Sequence, residues 1–279
     1  MVAMGQAKYI GDFSVLMPTY DREDLLRMFG SAVESIYSNS LLPKQVIIVV
    51  DGPVGYDFSK RIREYEDRFN FEIIWLNERS GITKALNEGL ERVTSKWTFR
   101  ADGDDINMNY RFEEQFSILQ KGYDLVGGWA KEIDSTGLLL GTRKVPETDE
   151  QIRKYIRYRN PFNHMTTAYS TERARKIGGY PDIYLREDYG MWASLIRDGA
   201  KSYNIQKVLV HASAGSGQYA RRSGQVYLVA EYTLQKHLVR MNQSSPMMAL
   251  VIGLLRALIF GSPRFMHSAI YRLFLRSYS

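Results

Sequence analysis

Trp97-Thr98-Phe99-Arg100-Ala101-Asp102-Gly103-Asp104-Asp105 decides the fold, because a run typical of a buried strand leads directly into three carboxylates within four residues. Carboxylates crowded at a strand end repel one another, and each raises the pKa of its neighbours unless a cation joins them. Mg²⁺ or Mn²⁺ suits such a set, since both take oxygen ligands and keep positions open for phosphates. An Asp/Gly turn is the alternative explanation of the same residues.

Strand and helix patterns alternate four times in the first half of the chain. Apolar or β-branched runs predict the strands, and apolar residues at helical spacing predict the helices between them. Ser80 is the predicted cap of the third helix. The predicted strands are residues 13–17, 46–50, 71–76, 97–101 and 124–129, and the predicted helices are residues 25–36, 61–69, 80–93 and 110–119. This alternation is typical of a doubly wound α/β sheet.

Polar side chains follow several of these strands at their carboxyl ends, at Thr19, Asp21, Asp51 and the 102–105 cluster. Ligands of doubly wound sheets bind beyond the carboxyl ends of the strands. We therefore expect one shared site there. The sequence has no Gly-x-Gly-x-x-Gly and no Gly-Lys-Ser/Thr loop, so neither a dinucleotide site nor a P-loop is indicated.

The pattern loosens after about Gly141. Residues 149–158 and 187–197 read as helices, with a possible apolar stripe in the second at Met191, Trp192 and Leu195, and residues 165–169 read as a strand. Arg221 and Arg222 lie between two Gly/Ser-rich stretches, a pattern that suits a mobile lid over an anion.

Composition narrows the class of protein. The chain has 279 residues with 44% hydrophobic residues, enough for one large or two small domains. It has no cysteine, which excludes disulfides and Cys-based zinc or nucleophilic chemistry. Residues 1–11 contain no apolar run of signal-peptide length.

The positive charge is concentrated in the tail. Glu231 is the last acidic residue, and the six basic residues after it account for the net charge of +6. Residues 247–260 are apolar except for Gly253 and Arg256, but fourteen residues of helix span only ~21 Å of a ~30 Å hydrocarbon core. The next segment has an apolar face opposite a cationic one, which suits a helix lying in an anionic membrane interface. Its apolar residues are Phe265, Met266, Ala269, Ile270, Leu273 and Phe274. The alternative is a helix pair packed on the body of the protein.

Five motifs in order resemble a family 2 glycosyltransferase with the GT-A fold, a Rossmann-like doubly wound mixed sheet. They cover roughly residues 13–225 of the chain. The motifs are Val15-Leu16-Met17-Pro18-Thr19-Tyr20 with Asp21-Arg22, Ile47-Ile48-Val49-Val50-Asp51-Gly52, the run from Asn77 to Gly89, the Asp102-Gly103-Asp104 cluster, and Glu187-Asp188.

The resemblance implies a nucleotide-sugar donor site with Mn²⁺ or Mg²⁺. Asp51 would accept the uracil imide N–H, Asp102 would hold ribose or metal, and Asp104 would hold the metal, with Asp105 assisting or capping the next segment. The alternative for Lys84 and Asn87 is that both are solvated side chains that do not contact the donor. The implied donor-binding residues are Pro18, Thr19, Tyr20, Asp21, Asp51, Lys84, Asn87, Arg100, Asp102, Gly103, His164, Arg221 and Arg222.

The resemblance also implies a catalytic base, which takes the proton of the acceptor hydroxyl while a single displacement inverts the anomeric centre. Asp188 matches the base position and Glu187 is the second choice, although both could merely begin a helix. Trp192 is either an acceptor platform or a core residue. His164 contacts a sugar or is structural.

These implications predict a GT-A domain at residues 1–230, with a donor half at about 12–130 and an acceptor half at about 131–230, followed by a helical amphipathic tail at 231–279. The expected reaction belongs to the synthesis of bacterial surface polysaccharides such as O-antigen, capsule or exopolysaccharide. It moves a UDP-hexose or UDP-N-acetylhexosamine sugar to a polyprenyl-diphosphate-linked saccharide, at the cytoplasmic face of the plasma membrane. The alternatives are a sugar-1-phosphate nucleotidyltransferase, which needs a Gly-rich phosphate loop after the first strand, and a basic membrane- or nucleic-acid-binding module. The neutral body argues against nucleic acid.

Overall fold

A computed structural model describes residues 9–134, 136–213 and 225–261. The first half alternates strand and helix as predicted. Its elements are β1 (Tyr9–Thr19), α1 (Glu23–Tyr37), β2 (Leu41–Val50), α2 (Tyr56–Glu66), β3 (Glu72–Trp75), α3 (Ile82–Arg92) and β4 (Trp97–Arg100). The second half contains β5 (Ile106–Asn107), α4 (Arg111–Gln120), β6 (Leu125–Ile133), β7 (Leu139–Arg143), α5 (Asp149–Tyr155), a 3-10 turn (His164–Thr166), β8 (Ala168–Ser170), α6 (Thr171–Lys176), α7 (Glu187–Arg197), β9 (Ser202–Ser213), α8 (Gln225–Arg240) and α9 (Pro246–Gly261).

One mixed sheet runs through the described residues in the order β3-β2-β1-β4-β8-β6-β9-β5, with β7 added on β6. β3, β2, β1 and β4 are parallel, whereas β8 pairs antiparallel with both β4 and β6. The doubly wound α/β sheet is therefore confirmed. The strand direction changes beside β4, next to the carboxylates that follow this strand.

Helices cover both faces of the parallel strands. The β-branched run in β2 is buried throughout, as a strand covered on both sides requires. Phe29 of α1 and Phe58 of α2 pack on one face, whereas Leu86 of α3 and Trp192 of α7 belong to the cluster on the other.

The start of α3 differs from the prediction. Ser80 does not cap this helix with its side chain; the cap position belongs to Gly81, which has φ +88. The Asp51 carboxylate takes over the capping role, because its two oxygens accept the Ser80 N–H at 2.7 Å and the Gly81 N–H at 3.0 Å. Sequence spacing could not reveal this, since Asp51 reaches α3 from the end of another strand.

Helices α8 and α9 pack against each other at the end of the described chain, and α8 also packs on α7. Within the described ranges, none of the helices combines the length and the apolar character that crossing a bilayer requires. The amphipathic segment predicted around Phe265 lies outside the described residues.

Candidate functional site

The ends of β1, β2 and β4 lie side by side and bring the predicted polar residues together. Thr19 pairs with Val50 across β1 and β2, and Leu16 pairs with Arg100 across β1 and β4. Thr19, Asp51 and Asp102 therefore meet at one edge of the sheet. Gly103 packs closely on this edge, because a Cβ there would lie 3.2 Å from the Thr19 hydroxyl oxygen.

Two arginines that sequence reasoning left without a role surround Tyr20. The Arg79 guanidinium lies over the Tyr20 ring, 4.4 Å from its centroid, and Arg22 donates to the Tyr20 hydroxyl at 2.7 Å. Arg22 also pairs with Asp104 at 2.9 Å. Both arginines lie inside the motifs quoted above, and that position was the sequence signal that could have identified them as site residues. Asp21 is exposed, and its carboxylate accepts the Gly55 N–H at 2.6 Å.

The three carboxylates after β4 each have a different partner. Asp102 pairs with Arg100, Asp104 pairs with Arg22, and Asp105 accepts the Ser213 N–H at 2.9 Å. Burial and the Asp102 charge raise the pKa of Asp104 to about 6. Burial, with the charges of Asp102 and Asp104, also raises the pKa of Asp105 well above its usual range.

A divalent cation fits the chemistry of this cluster. Among the described atoms, the buried Asp105 Oδ2 and the buried Thr19 hydroxyl have no hydrogen-bond partner. A cation would satisfy such oxygens and remove the repulsion that raises the two pKa values. Across the described residues, however, no three His, Cys, Asp or Glu side chains are grouped so that they could hold a metal ion. The carboxylates are instead held apart by their separate partners.

Arg100 connects the carboxylates to a second group of ionisable residues. It is fully buried and binds Asp102. The Arg100 charge also acts on this second group, because it opposes the ionisation of His164 and favours that of Glu187. The candidate donor residues and the candidate base therefore flank one buried guanidinium.

Asp188 and Glu187 begin α7 but have different surroundings. Asp188 Oδ2 accepts from the Asn160 amide at 2.6 Å, and Oδ1 accepts the Tyr189 N–H at 2.7 Å. Glu187 is buried, and its Oε2 has no hydrogen-bond partner among the described residues.

Because of this difference, the two carboxyl groups do not lose their protons equally readily. Burial, together with the Asp188 charge, raises the pKa of Glu187 to about 8, so Glu187 keeps its proton at neutral pH. Burial also raises the pKa of Asp188, but the Tyr189 N–H, Arg186 and Asn160 favour its charged form. Of the two residues, Asp188 is therefore the better base.

Trp192 is not an acceptor platform. It is 0% exposed, and its ring packs against Phe162, Tyr169, Tyr180 and His164 at centroid distances of 5.7 to 6.2 Å. The helical spacing of α7 turns this side chain into the core, as the alternative interpretation held. His164 lies in the same aromatic cluster, with Nδ1 4.0 Å from Glu187 Oε1. Burial, reinforced by Arg100, lowers the pKa of His164 well below its usual range.

The polar atoms of Asn87 bind backbone instead of facing a ligand. Its amide donates to the Tyr180 carbonyl at 2.9 Å and accepts the Tyr180 N–H at 2.8 Å, so both of its polar ends bind backbone. Lys84, one turn earlier, is exposed, and Pro18 is half-buried at the end of β1. Arg221 and Arg222 lie outside the described residues.

Known proteins are similar to this chain in sequence and in fold. The family model described as Glycosyl transferase family 2 matches residues 14–178. An Escherichia coli UDP-Gal:alpha-D-GlcNAc-diphosphoundecaprenol beta-1,3-galactosyltransferase is 34% identical over 235 residues, which cover 84% of this chain and 85% of the relative.

Two solved structures have the same fold at low sequence identity. Staphylococcus aureus TarS 1-349 in complex with UDP is 16% identical with a TM-score of 0.65, covering 94% of this chain and 75% of that one. The mannosyltransferase PcManGT from Pyrobaculum calidifontis, in complex with GDP-Man and Mn²⁺, is 14% identical with a TM-score of 0.57, covering 96% of this chain and 89% of that one. The mixed sheet is therefore the GT-A type that the motifs predicted, and the chain belongs to glycosyl transferase family 2 and is a glycosyltransferase.

Proposed function

We propose that this glycosyltransferase moves a sugar from a UDP-sugar, a hexose or an N-acetylhexosamine, to a saccharide linked to a polyprenyl diphosphate, with inversion at the anomeric carbon. The observation that carries the proposal is the position of Asp188. A carboxylate oriented by Asn160 at the first turn of a helix, beside a protonated Glu187, can accept one proton without moving.

The strand-end residues support binding of the nucleotide. Asp51 is buried and held by two backbone N–H groups, and its oxygens retain lone pairs that could accept the imide N–H of uracil. The Tyr20 ring and Arg79 provide a flat, cationic surface beside it. The basic residues Arg22 and Arg79 would attract the diphosphate.

Asp104, with Asp102 and Asp105, would hold Mg²⁺ or Mn²⁺ with the diphosphate. The cation would offset the charge that develops on the leaving nucleoside diphosphate. The unpartnered Asp105 Oδ2 and the raised pKa of Asp104 support this assignment. Arg22 and Arg100 would then be left to orient the carboxylates and the phosphates.

The base step assigns one role to each residue of the pair. Asp188 takes the proton of the acceptor hydroxyl as its oxygen attacks the anomeric carbon, and the nucleoside diphosphate leaves with the electrons of the broken bond. Glu187 keeps its own proton, so it adds no negative charge beside Asp188.

We further propose that the enzyme works at the cytoplasmic face of the plasma membrane, where residues 231–279 contact the anionic lipid surface. The relative that acts on a diphosphoundecaprenol-linked sugar supports a lipid-bound acceptor. Large apolar side chains are exposed on both tail helices, including Val229, Tyr232, Leu250 and Leu254. Residues 1–230 would then hold the donor and acceptor halves, and β6 crosses the proposed division near residue 130.

Turnover of a UDP-sugar with Mn²⁺ tests the proposal. We expect Asp188→Asn to lower kcat by about 10²- to 10⁴-fold, since it removes the base and keeps the shape of the side chain. Asp104→Asn should lower activity and weaken the dependence on Mn²⁺. Asp198→Asn, at the opposite end of α7, is the matched control and should keep full activity. Full activity in both Asp188→Asn and Asp104→Asn would refute the site.

A further inference from the structure

Arg256 is the one charged residue in the apolar stretch 247–260, and its side chain in α9 is only 13% exposed. It donates to both carboxylate oxygens of Glu231, at 2.7 and 2.8 Å. Glu231, on α8, is 2% exposed. A carboxylate buried this deeply is unfavourable without a partner, so the two helices are held in one arrangement by this pair.

The first connection from this pair to the site runs through Arg186. Glu231 Oε2 lies 3.9 Å from Arg186 Nε. Arg186 directly precedes Glu187 and Asp188, and its charge is one of the groups that favour the ionised form of Asp188. Moving Glu231 would therefore move, or release, a cation at the N-terminus of α7.

The second connection runs through the loop before the aromatic cluster. Arg256 also donates to the carbonyl of Tyr158. Two residues later, Asn160 donates to Asp188 Oδ2 at 2.6 Å. The Tyr189 hydroxyl donates to the Ile156 carbonyl at 2.5 Å, which fastens α7 to the same loop. One guanidinium thus supports the loop that orients the candidate base.

We propose that Arg256 is a positioning residue for Asp188, acting from one side through Glu231 and Arg186 and from the other through the loop at Tyr158–Asn160. This inference rests on the proposed function, because it takes Asp188 as the base. It gives α9 a role in the chemistry that is independent of any contact with lipid.

The test is a steady-state comparison of full-length variants with a UDP-sugar donor. Arg256→Gln removes the charge, and we expect kcat to fall about 10- to 100-fold with the donor KM within about twofold, because a small displacement of the base affects the transition state alone. Arg256→Lys keeps the charge but cannot bind Glu231 and the Tyr158 carbonyl together, so it should recover part of the loss.

A double-mutant cycle with Asn160→Ala separates positioning from loss of stability. If both residues hold Asp188, the double variant should be no worse than about threefold below the poorer single variant. Independent, multiplicative losses would contradict the proposal. The matched control is Arg197→Gln, which removes an arginine that donates from the other end of α7 to the Arg240 carbonyl at 2.7 Å. It should leave kcat unchanged.

The outcomes distinguish this inference from the proposed function. A folded Arg256→Gln with kcat within about twofold of wild type overturns the inference. If Arg256→Gln does not fold, Arg256→Lys decides, and an unchanged kcat in that variant overturns the inference equally. Full turnover in Asp188→Asn would instead refute the base itself. An inactive Asp188→Asn beside a fully active Arg256→Gln refutes only the role of Arg256.

Discussion

At the scale of single residues, the protonation of the site depends on which hydrogen-bond partners each ionisable group has. Glu187 and Asp188 are adjacent in the chain, Glu187 buried and Asp188 half-buried, and only Asp188 receives hydrogen bonds from Asn160 and the Tyr189 N–H. The repulsion between them is relieved when Glu187 keeps its proton, and burial then makes that proton hard to lose. An adjacent pair of carboxyl groups can in this way contain one acid and one base.

The Glu187 proton makes stability depend on pH. Folding raises the pKa of Glu187 from 4.5 to about 8, so between these values the folded protein holds a proton that the unfolded chain releases. The free energy of unfolding should therefore fall as pH rises from 5 to 8, by roughly 2–4 kcal/mol from this group. Glu187→Gln should abolish that part of the fall, as measured by urea denaturation across this range. Parallel pH curves for the two proteins would contradict the raised pKa.

At the scale of elements, α3 is attached to other parts of the chain at its start and at its middle. Asp51 caps its first turn from the end of β2, and Asn87 binds the backbone of Tyr180 in the turn before α7. The turn leaves no room for a larger group, since a Cβ on Gly179 would lie 2.4 Å from the Asn87 amide oxygen. The packing of α3 therefore controls where the chain enters the segment that carries Asp188.

This attachment predicts a structural effect of Asn87. We expect Asn87→Ala to lower the free energy of unfolding by about 2–3 kcal/mol, because the Tyr180 N–H and carbonyl lose their partner. The donor KM should change little. Lys84→Ala, on the same helix but exposed, should leave stability unaltered. Denaturation and donor titration of both variants measure this, and a raised donor KM with unchanged stability in Asn87→Ala would restore the ligand role that the motif suggested.

At the scale of the whole molecule, the tail has two different sides. Arg256 binds the Tyr158 carbonyl and Glu231 lies 3.9 Å from Arg186, which attaches the tail to the body, whereas large apolar side chains on α8 and α9 remain exposed. The two interpretations of the tail are thus compatible, because a helix pair packed on the domain can still present an apolar surface. The excess positive charge of the chain lies in the same region.

The exposed surface predicts binding to anionic vesicles. We expect the double variant Leu250→Gln, Leu254→Gln to bind about 10- to 100-fold more weakly in a sedimentation assay, because each leucine loses part of its burial in the interface. Added salt should weaken binding of the wild-type protein. Leu138→Gln with Leu139→Gln, two exposed leucines at the start of β7, is the matched control. Equal binding by both double variants would contradict a membrane role for this surface.

The sequence by itself determined the alternating strands and helices of the first half, the carboxylates at the ends of β1, β2 and β4, and the acidic start of α7. These features follow from local hydrophobic spacing and from short motifs, so neighbouring residues suffice to predict them. Only the tertiary structure decided that Trp192 lies in the core, that Asn87 binds backbone, and which cation or amide each carboxylate of the site meets. The pairs of Asp104 with Arg22, Asp105 with Ser213 and Asp188 with Asn160 join residues 82, 108 and 28 positions apart. The physical reason is that a buried charge binds whichever partner the packing brings within hydrogen-bonding distance, and no local pattern records that choice.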